Sequence, residues 1–193
     1  GDLAKFKESA RANGTRLEYL GLDSAEGALA EADARRRGNS AYRFSLGSFV
    51  DPVPGRFSAT WCAFAAHYAA QTRADLDGFA NNLAAGGIAA AVITNGFEIA
   101  KRIVRGRRSG TLWSLEPNDP VSRGRIMGRT WSEDPHGIMI RFGIGGFTPG
   151  VEPLMMEPAL TAAMASRGKV RTSRVRLDLY VRDAIRRGAE LGR

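Results

Sequence analysis

The stretch that says most about the fold of this chain is Asp51-Pro52-Val53-Pro54-Gly55-Arg56-Phe57-Ser58-Ala59-Thr60-Trp61. Two prolines and a glycine predict a turn, because proline fixes φ and glycine adopts conformations that other residues avoid. Arg56 follows the turn directly, and Trp61 lies five residues further on. We therefore expect a fixed arginine and a buried tryptophan at the start of the next element.

On the N-terminal side of this turn, residues 1–40 are predicted to be helical. Apolar residues recur near helical spacing in the first twenty positions, and an alanine-rich segment at 24–37 ends at Gly38-Asn39. Residues 42–46 alternate between apolar and polar side chains, which predicts a short strand.

On the C-terminal side, the alanine-rich and proline-free segment 59–83 favours a helix, with an extended backbone at its Trp61 end as the open alternative. The apolar run 88–94 ends in Asn95-Gly96, which is typical of a strand followed by a turn, and an amphipathic helix is expected over 97–104. Further along, the pattern predicts strands over 111–115, 125–131 and 137–144, a short helix ending at 164, and an amphipathic helix over 174–191. The sum is an α+β fold: a mixed β-sheet with N-terminal helices and a C-terminal amphipathic helix packed on it.

The length of 193 residues fits a single domain spanning 1–193, with 107–167 as a candidate inserted β-rich subdomain. The single cysteine excludes an internal disulfide framework, and two histidines without clustered carboxylates make a metal site improbable. No cofactor is expected. The sequence shows neither a signal-peptide pattern nor an apolar run long enough to cross a bilayer, so we expect a soluble protein made in a cytoplasm.

Three segments resemble head–tail joining and tail-completion (neck) proteins of long-tailed bacteriophages. They are the turn with Gly55, Arg56 and Trp61, the segment Val92–Arg102 with Asn95 and Gly96, and Gly168-Lys169-Val170-Arg171 with the helix predicted after it. The resemblance implies that Gly55, Arg56, Trp61, Asn95 and Gly96 are structural anchors.

The same resemblance implies a non-enzymatic structural virion protein, part of a homo-oligomeric ring at the head–tail junction or tail end. Its partners would be copies of itself and adjacent virion proteins such as the connector, tail tube or terminator. The location would be the virion, assembled in the host cytoplasm, without contact to a membrane.

A cysteine-peptidase interpretation competes for the same segment. Cys62 lies near the predicted start of the 59–83 helix, where a thiol pKa is lowered, and His136 opens the predicted strand 137–144. The pair is similar to papain-like cell-wall amidases, in which Cys62 would be the nucleophile and His136 the general base. Glu152 is the nearest candidate for a third, orienting residue, and His67 is expected to be an ordinary helix residue.

The charge suggests a third alternative, a basic nucleic-acid-binding module. The net charge of +8 is uneven, since residues 1–100 hold 10 basic and 11 acidic side chains and residues 101–193 hold 18 and 9. Arg105, Arg107 and Arg108 form a predicted basic loop that would contact packaged DNA or an acidic partner.

Overall fold

The computed structural model describes residues 2–63, 65–145, 148–171 and 173. The chain divides into two units, Gly1–Asp51 and Pro52–Arg193. The predicted helix over 174–191 lies outside the described residues. Among the residues that are described, none of the helices combines the length and the apolar character needed to span a membrane.

The N-terminal unit contains a parallel strand pair joined by a helix. Its elements are α1 (Asp2–Ala12), β1 (Tyr19–Asp23), α2 (Glu26–Arg35) and β2 (Tyr42–Leu46). β1 and β2 pair in parallel, with Tyr19 opposite Tyr42 and Gly21 opposite Phe44. The predicted strand over 42–46 is confirmed, whereas the expectation that 1–40 is wholly helical is wrong at β1. The cause is the packing of Tyr19 on Phe44. Their ring centroids lie 6.0 Å apart, and this contact between the two strands stabilises an extended backbone.

The C-terminal unit begins with a second parallel pair. Its elements are β3 (Phe57–Ala63), a short 3-10 helix (Ala66–Ala70), α3 (Arg73–Ala84) and β4 (Gly86–Val92). Thr72 caps α3 by accepting a hydrogen bond from the Asp75 backbone. The helix predicted over 59–83 is therefore wrong at its first third. There the hydroxyl of Thr60 donates to the Leu83 carbonyl at 3.1 Å, which ties β3 to the end of α3.

A four-stranded antiparallel sheet with three helices completes this unit. The elements in chain order are α4 (Gly96–Val104), β5 (Ser109–Gly110), β6 (Trp113–Pro117), α5 (Pro120–Gly128), β7 (Met139–Ile144), β8 (Gly150–Pro153) and α6 (Glu157–Ala165), and the strands are ordered β5-β6-β7-β8. The strand expected over 125–131 is wrong. Asp119 caps a helix there by accepting from the Ser122 backbone at 2.7 Å, and Pro120 suits the first helical turn.

The core of the C-terminal unit joins the antiparallel sheet to α4, α5 and the segment after β8. It consists of buried apolar side chains: Ala100, Ile103, Leu115, Ile126, Trp131, Ile138, Ile140, Leu154 and Met156. Helices and both parallel and antiparallel strands are present, so the α+β class is confirmed. The organisation as a single domain with an inserted subdomain stays a prediction; the segment 107–167 contains α5 and α6 besides its strands.

Candidate functional site

The candidate functional site lies in the C-terminal unit, just beyond the end of β3. That strand runs parallel to β4, and the 3-10 helix that follows it carries His67. In open α/β sheets, ligands bind outside the carboxyl ends of parallel strands, because the loops leaving those ends converge there. His67 thus lies just beyond the carboxyl end of a parallel strand.

His67 is a buried polar side chain that lacks a hydrogen bond. The residue is only 5% exposed. Its Nε2 atom lies 3.3 Å from Oε2 of Glu152 on β8. The angles of this contact do not make it a hydrogen bond, and neither ring nitrogen has a hydrogen-bond partner among the described residues. Since buried polar groups are almost always paired, such an imidazole is a candidate for a functional site.

The electrostatics of the pair favour a neutral imidazole. Burial lowers the pKa of His67 below its ordinary value of 6.5, and the negative charge of Glu152 only partly opposes that effect. The Glu152 side chain is 29% exposed, whereas that of His67 is 6% exposed. Glu152 is consequently the more accessible member of the pair.

Tyr68 supplies an accessible aromatic ring next to the pair. The residue is 44% exposed, and its ring centroid lies 4.3 Å from that of His67 at an interplanar angle of 37°. An exposed tyrosine combines a flat apolar ring with a hydroxyl that can form hydrogen bonds, so Tyr68 adds an accessible aromatic surface next to His67.

Two backbone contacts hold the distant segments of this site together. Gly96 begins α4 so close to the segment after β8 that a Cβ there would lie 2.4 Å from the Met155 carbonyl oxygen. On the other side, the Gly137 backbone donates to the Ala70 carbonyl at 2.8 Å, which joins the start of the antiparallel sheet to the end of the 3-10 helix. The relative positions of His67 and Glu152 therefore depend on backbone packing.

The geometry expected for the cysteine-peptidase interpretation does not form. Cys62 lies within β3, not at a helix N-terminus, because the segment is extended along β4. Burial raises the pKa of the Cys62 thiol, an effect that a hydrogen bond with the Ala65 backbone does not cancel. A raised pKa disfavours the thiolate, which is the reactive form.

His136, the predicted general base, lies in the loop before β7. Arg125 fixes this loop by donating to the His136 carbonyl oxygen at 2.5 Å and by pairing with Asp134 at 2.9 Å. The Nδ1 atom of His136 is buried without a hydrogen-bond partner in the described part of the chain. His136 lines a cleft whose lining does not include Cys62.

The proposed structural anchors occupy two kinds of position. Gly55 adopts φ +123°, which fits the predicted turn. Arg56 is exposed and Trp61 is 44% exposed, so the expectation that Trp61 is buried is wrong. The reason is the alternation of side chains along β3, because the neighbouring Thr60 is the residue that faces the end of α3.

The other two proposed anchors lie at the start of α4. Asn95 caps this helix by accepting a hydrogen bond from the Glu98 backbone at 3.1 Å, and Gly96 is the close-packed position described above.

The predicted basic loop follows α4. Arg105 forms the C-terminal cap of that helix, and Arg105 and Arg107 are exposed. Arg108 is partly buried, and its Nε atom has no hydrogen-bond partner among the residues that the structure describes. Contact of these three side chains with DNA or an acidic partner stays a prediction.

From the sequence, Glu152 is expected only as a third catalytic candidate and His67 as an ordinary helix residue. The structure differs because 59–63 is a strand, which places His67 just beyond a strand end. The dipeptide His67-Tyr68 after an apolar extended segment was the signal that could have drawn attention to it.

Comparison with known proteins finds similarity to solved structures. No family model and no curated protein matches the chain. The fold is similar to the crystal structure of an S-adenosylmethionine-dependent methyltransferase from Clostridium acetobutylicum ATCC 824. The TM-score is 0.49 and the sequence identity 11%, over 84% of this chain and 77% of that chain.

These findings correct the resemblance to phage neck proteins. The resemblance depended on three short segments, and a solved structure with a similar fold is described as a methyltransferase, which conflicts with a phage neck protein. The expectations of a structural virion protein in a neck or tail ring and of a non-enzymatic role are therefore wrong. The expectations about partners and location stay predictions.

Proposed function

We propose that this chain is an enzyme whose site at the end of β3 binds a nucleotide or a similar ligand with a planar, nitrogen-containing ring. The observation that carries the proposal is the buried, unpartnered His67 imidazole 3.3 Å from the reachable carboxylate of Glu152. Methyl transfer from S-adenosylmethionine is one reaction to be tested at this site. The proposal itself rests on the contacts of the side chains.

The donor and acceptor pattern narrows the ligand class. An ionised carboxylate is an acceptor-only group with two oxygens, so it best matches two adjacent N–H donors on one edge of a ring. A guanine-type edge has this arrangement, and the exposed ring of Tyr68 offers a surface for stacking. The net charge of +8 favours a ligand that also carries phosphate.

His67 supports this recognition from behind the carboxylate. Being neutral, the imidazole keeps one N–H and one lone pair, and an N–H directed at Glu152 would orient the carboxylate once the contact tightens on binding. Holding both groups in place before binding reduces the entropy that the ligand interaction must overcome.

The test compares GTP with ATP, which carry the same phosphates and different base edges. We expect GTP to bind more tightly and Glu152→Gln to weaken GTP binding roughly 10- to 100-fold, since hydrogen bonds to a charged group contribute about 1.5–3 kcal/mol. ATP binding should change little. Glu116→Gln, at an exposed position on β6, is the matched control.

Calorimetric titration measures the affinities, and transfer of a labelled methyl group from S-adenosylmethionine to GTP or to guanosine measures turnover. Equal affinities of the wild-type protein and Glu152→Gln for GTP would refute the assignment of Glu152. A failure of both nucleotides to bind at millimolar concentration would refute the nucleotide class.

A further inference from the structure

A cleft of about 500 Å³ opens in the C-terminal unit between α3, α6 and the loop before β7. Its walls are mostly apolar, with the aromatic rings of Phe97 and Trp131 and the side chain of Met156 among them. The cleft is large enough for a drug-sized ligand. It does not include the His67–Glu152 pair.

The aromatic wall of the cleft is fixed in place. Phe97 and Trp131 meet edge to face, with centroids 6.3 Å apart at 80°. The ammonium group of Lys101 lies over the Phe97 ring at 4.1 Å from its centroid. Phe97 is nevertheless 41% exposed, so part of its ring is available to a ligand.

The two helical walls are also locked together before any ligand binds. Arg167, just after α6, donates to the carboxylate and to the carbonyl of Asp77 at 3.0 Å each. It also donates to the side chain of Asn81 at 2.5 Å. These hydrogen bonds hold α6 against α3, so a ligand would enter a preformed space.

The charge of the lining favours an anion. Two lining side chains carry a full charge, Arg73 and Asp77. Asp77 is neutralised by its ion pair with Arg167 at 3.0 Å. Arg73 makes no ion pair with the residues that the structure describes, so its guanidinium remains available to a carboxylate or phosphate.

We propose that this cleft is a second ligand site and that it takes a flat aromatic molecule with a single negative charge, such as an aromatic carboxylate. The exposed part of the Phe97 ring binds the aromatic part, and Arg73 pairs with the anionic group. This site goes beyond the function proposed for His67 and Glu152.

The test uses 2-naphthoate as the charged probe and 2-naphthol as an uncharged analogue of similar size, with binding to the purified full chain followed by equilibrium dialysis. Arg73→Gln should weaken 2-naphthoate at least about tenfold and leave 2-naphthol unchanged. Arg123→Gln, at an exposed position on α5, is the control for loss of a positive charge.

A second pair of variants tests the location. Ala162 of α6 lines the cleft, whereas Ala165 is exposed on the same helix and does not. Ala162→Leu should fill the cleft and weaken both probes about tenfold, and Ala165→Leu should bind them as the wild type does. Both variants should fold, because leucine is a good helix former. The proposal would be overturned if the probes bind equally to the two leucine variants, or if 2-naphthoate does not bind at millimolar concentration. GTP binding serves as the independent measure of the His67–Glu152 site.

Discussion

Gly96 is the position at which a single added methyl group should disturb the candidate site most. It is the first residue of α4, and its φ is not in the left-handed region, so alanine is compatible with the local backbone. A Cβ at this position would nevertheless lie 2.4 Å from the Met155 carbonyl oxygen, 3.0 Å from the Met155 carbonyl carbon and 3.3 Å from the Met156 sulfur.

The size of the effect follows from these distances. Ordinary van der Waals contact begins at 3.4 Å, so the start of α4 and the segment after β8 must separate by about 1 Å. Both sides of the contact are backbone, which cannot rotate away as a flexible side chain can. Overpacking of this kind costs about 1–3 kcal/mol. In a chain of this size each kcal/mol lowers Tm by roughly 2–4 °C.

Thermal unfolding followed by circular dichroism measures this change, and Gly124→Ala is the control. Gly124 lies in α5, and a Cβ added there would have no neighbouring atom within 4 Å, so alanine should raise stability by about 0.5–1 kcal/mol. Because Glu152 lies three residues before Met155, Gly96→Ala should also weaken GTP binding. A Gly96→Ala protein that unfolds at the wild-type temperature would refute the close approach on which the reasoning depends.

Further substitutions test the other contacts. The pKa of His67 is lowered in the folded chain, so on acidification the unfolded state takes up its proton first. The free energy of unfolding should therefore be full above pH 6.5 and fall as the pH drops below that value. Urea titrations at several pH values measure this dependence, and His67→Gln should reduce it. His67→Leu should leave the free energy of unfolding at neutral pH unchanged or higher while weakening GTP binding, as calorimetry would detect. Asp119→Ala should cost about 0.5–2 kcal/mol in urea unfolding, because Ser122 loses its capping acceptor. Arg167→Ala should cost about 1 kcal/mol by the same measurement, because the Asp77 side chain is 48% exposed and solvent screens the ion pair that is lost, and it should weaken 2-naphthoate binding.

Local signals in the sequence are sufficient for elements with clear periodicity. The helix over 97–104 and the strand over 42–46 can be predicted because the amphipathic spacing and the alternating pattern are visible in the chain itself. The segment 59–63 was not, because alanine, threonine and cysteine carry no strong periodicity and the strand is fixed by pairing with β4. Trp61 was expected to be buried for the same reason: the sequence did not show which side of β3 would be covered.

Most of the candidate site could not be predicted from the sequence, because it depends on contacts between distant segments. His67 lies on the 3-10 helix after β3 and Glu152 lies on β8, and neither residue is part of a recognisable motif. What could be read from the sequence was that each residue type can do acid–base or recognition chemistry. The contact between them depends on the packing of Gly96 on Met155 and of Gly137 on the 3-10 helix, which no local pattern encodes.

The expected result for His67→Leu distinguishes a functional imidazole from a structural one. A buried polar group that lacks a hydrogen bond costs about 1–3 kcal/mol, so an apolar side chain of similar volume should not destabilise the chain. A structural histidine would behave in the opposite way, because its removal would break hydrogen bonds, and the described residues offer His67 none. If the leucine variant is as stable as the wild type and binds GTP more weakly, the unpaired imidazole is retained for what it does to Glu152. A clear loss of stability would instead assign His67 to the fold.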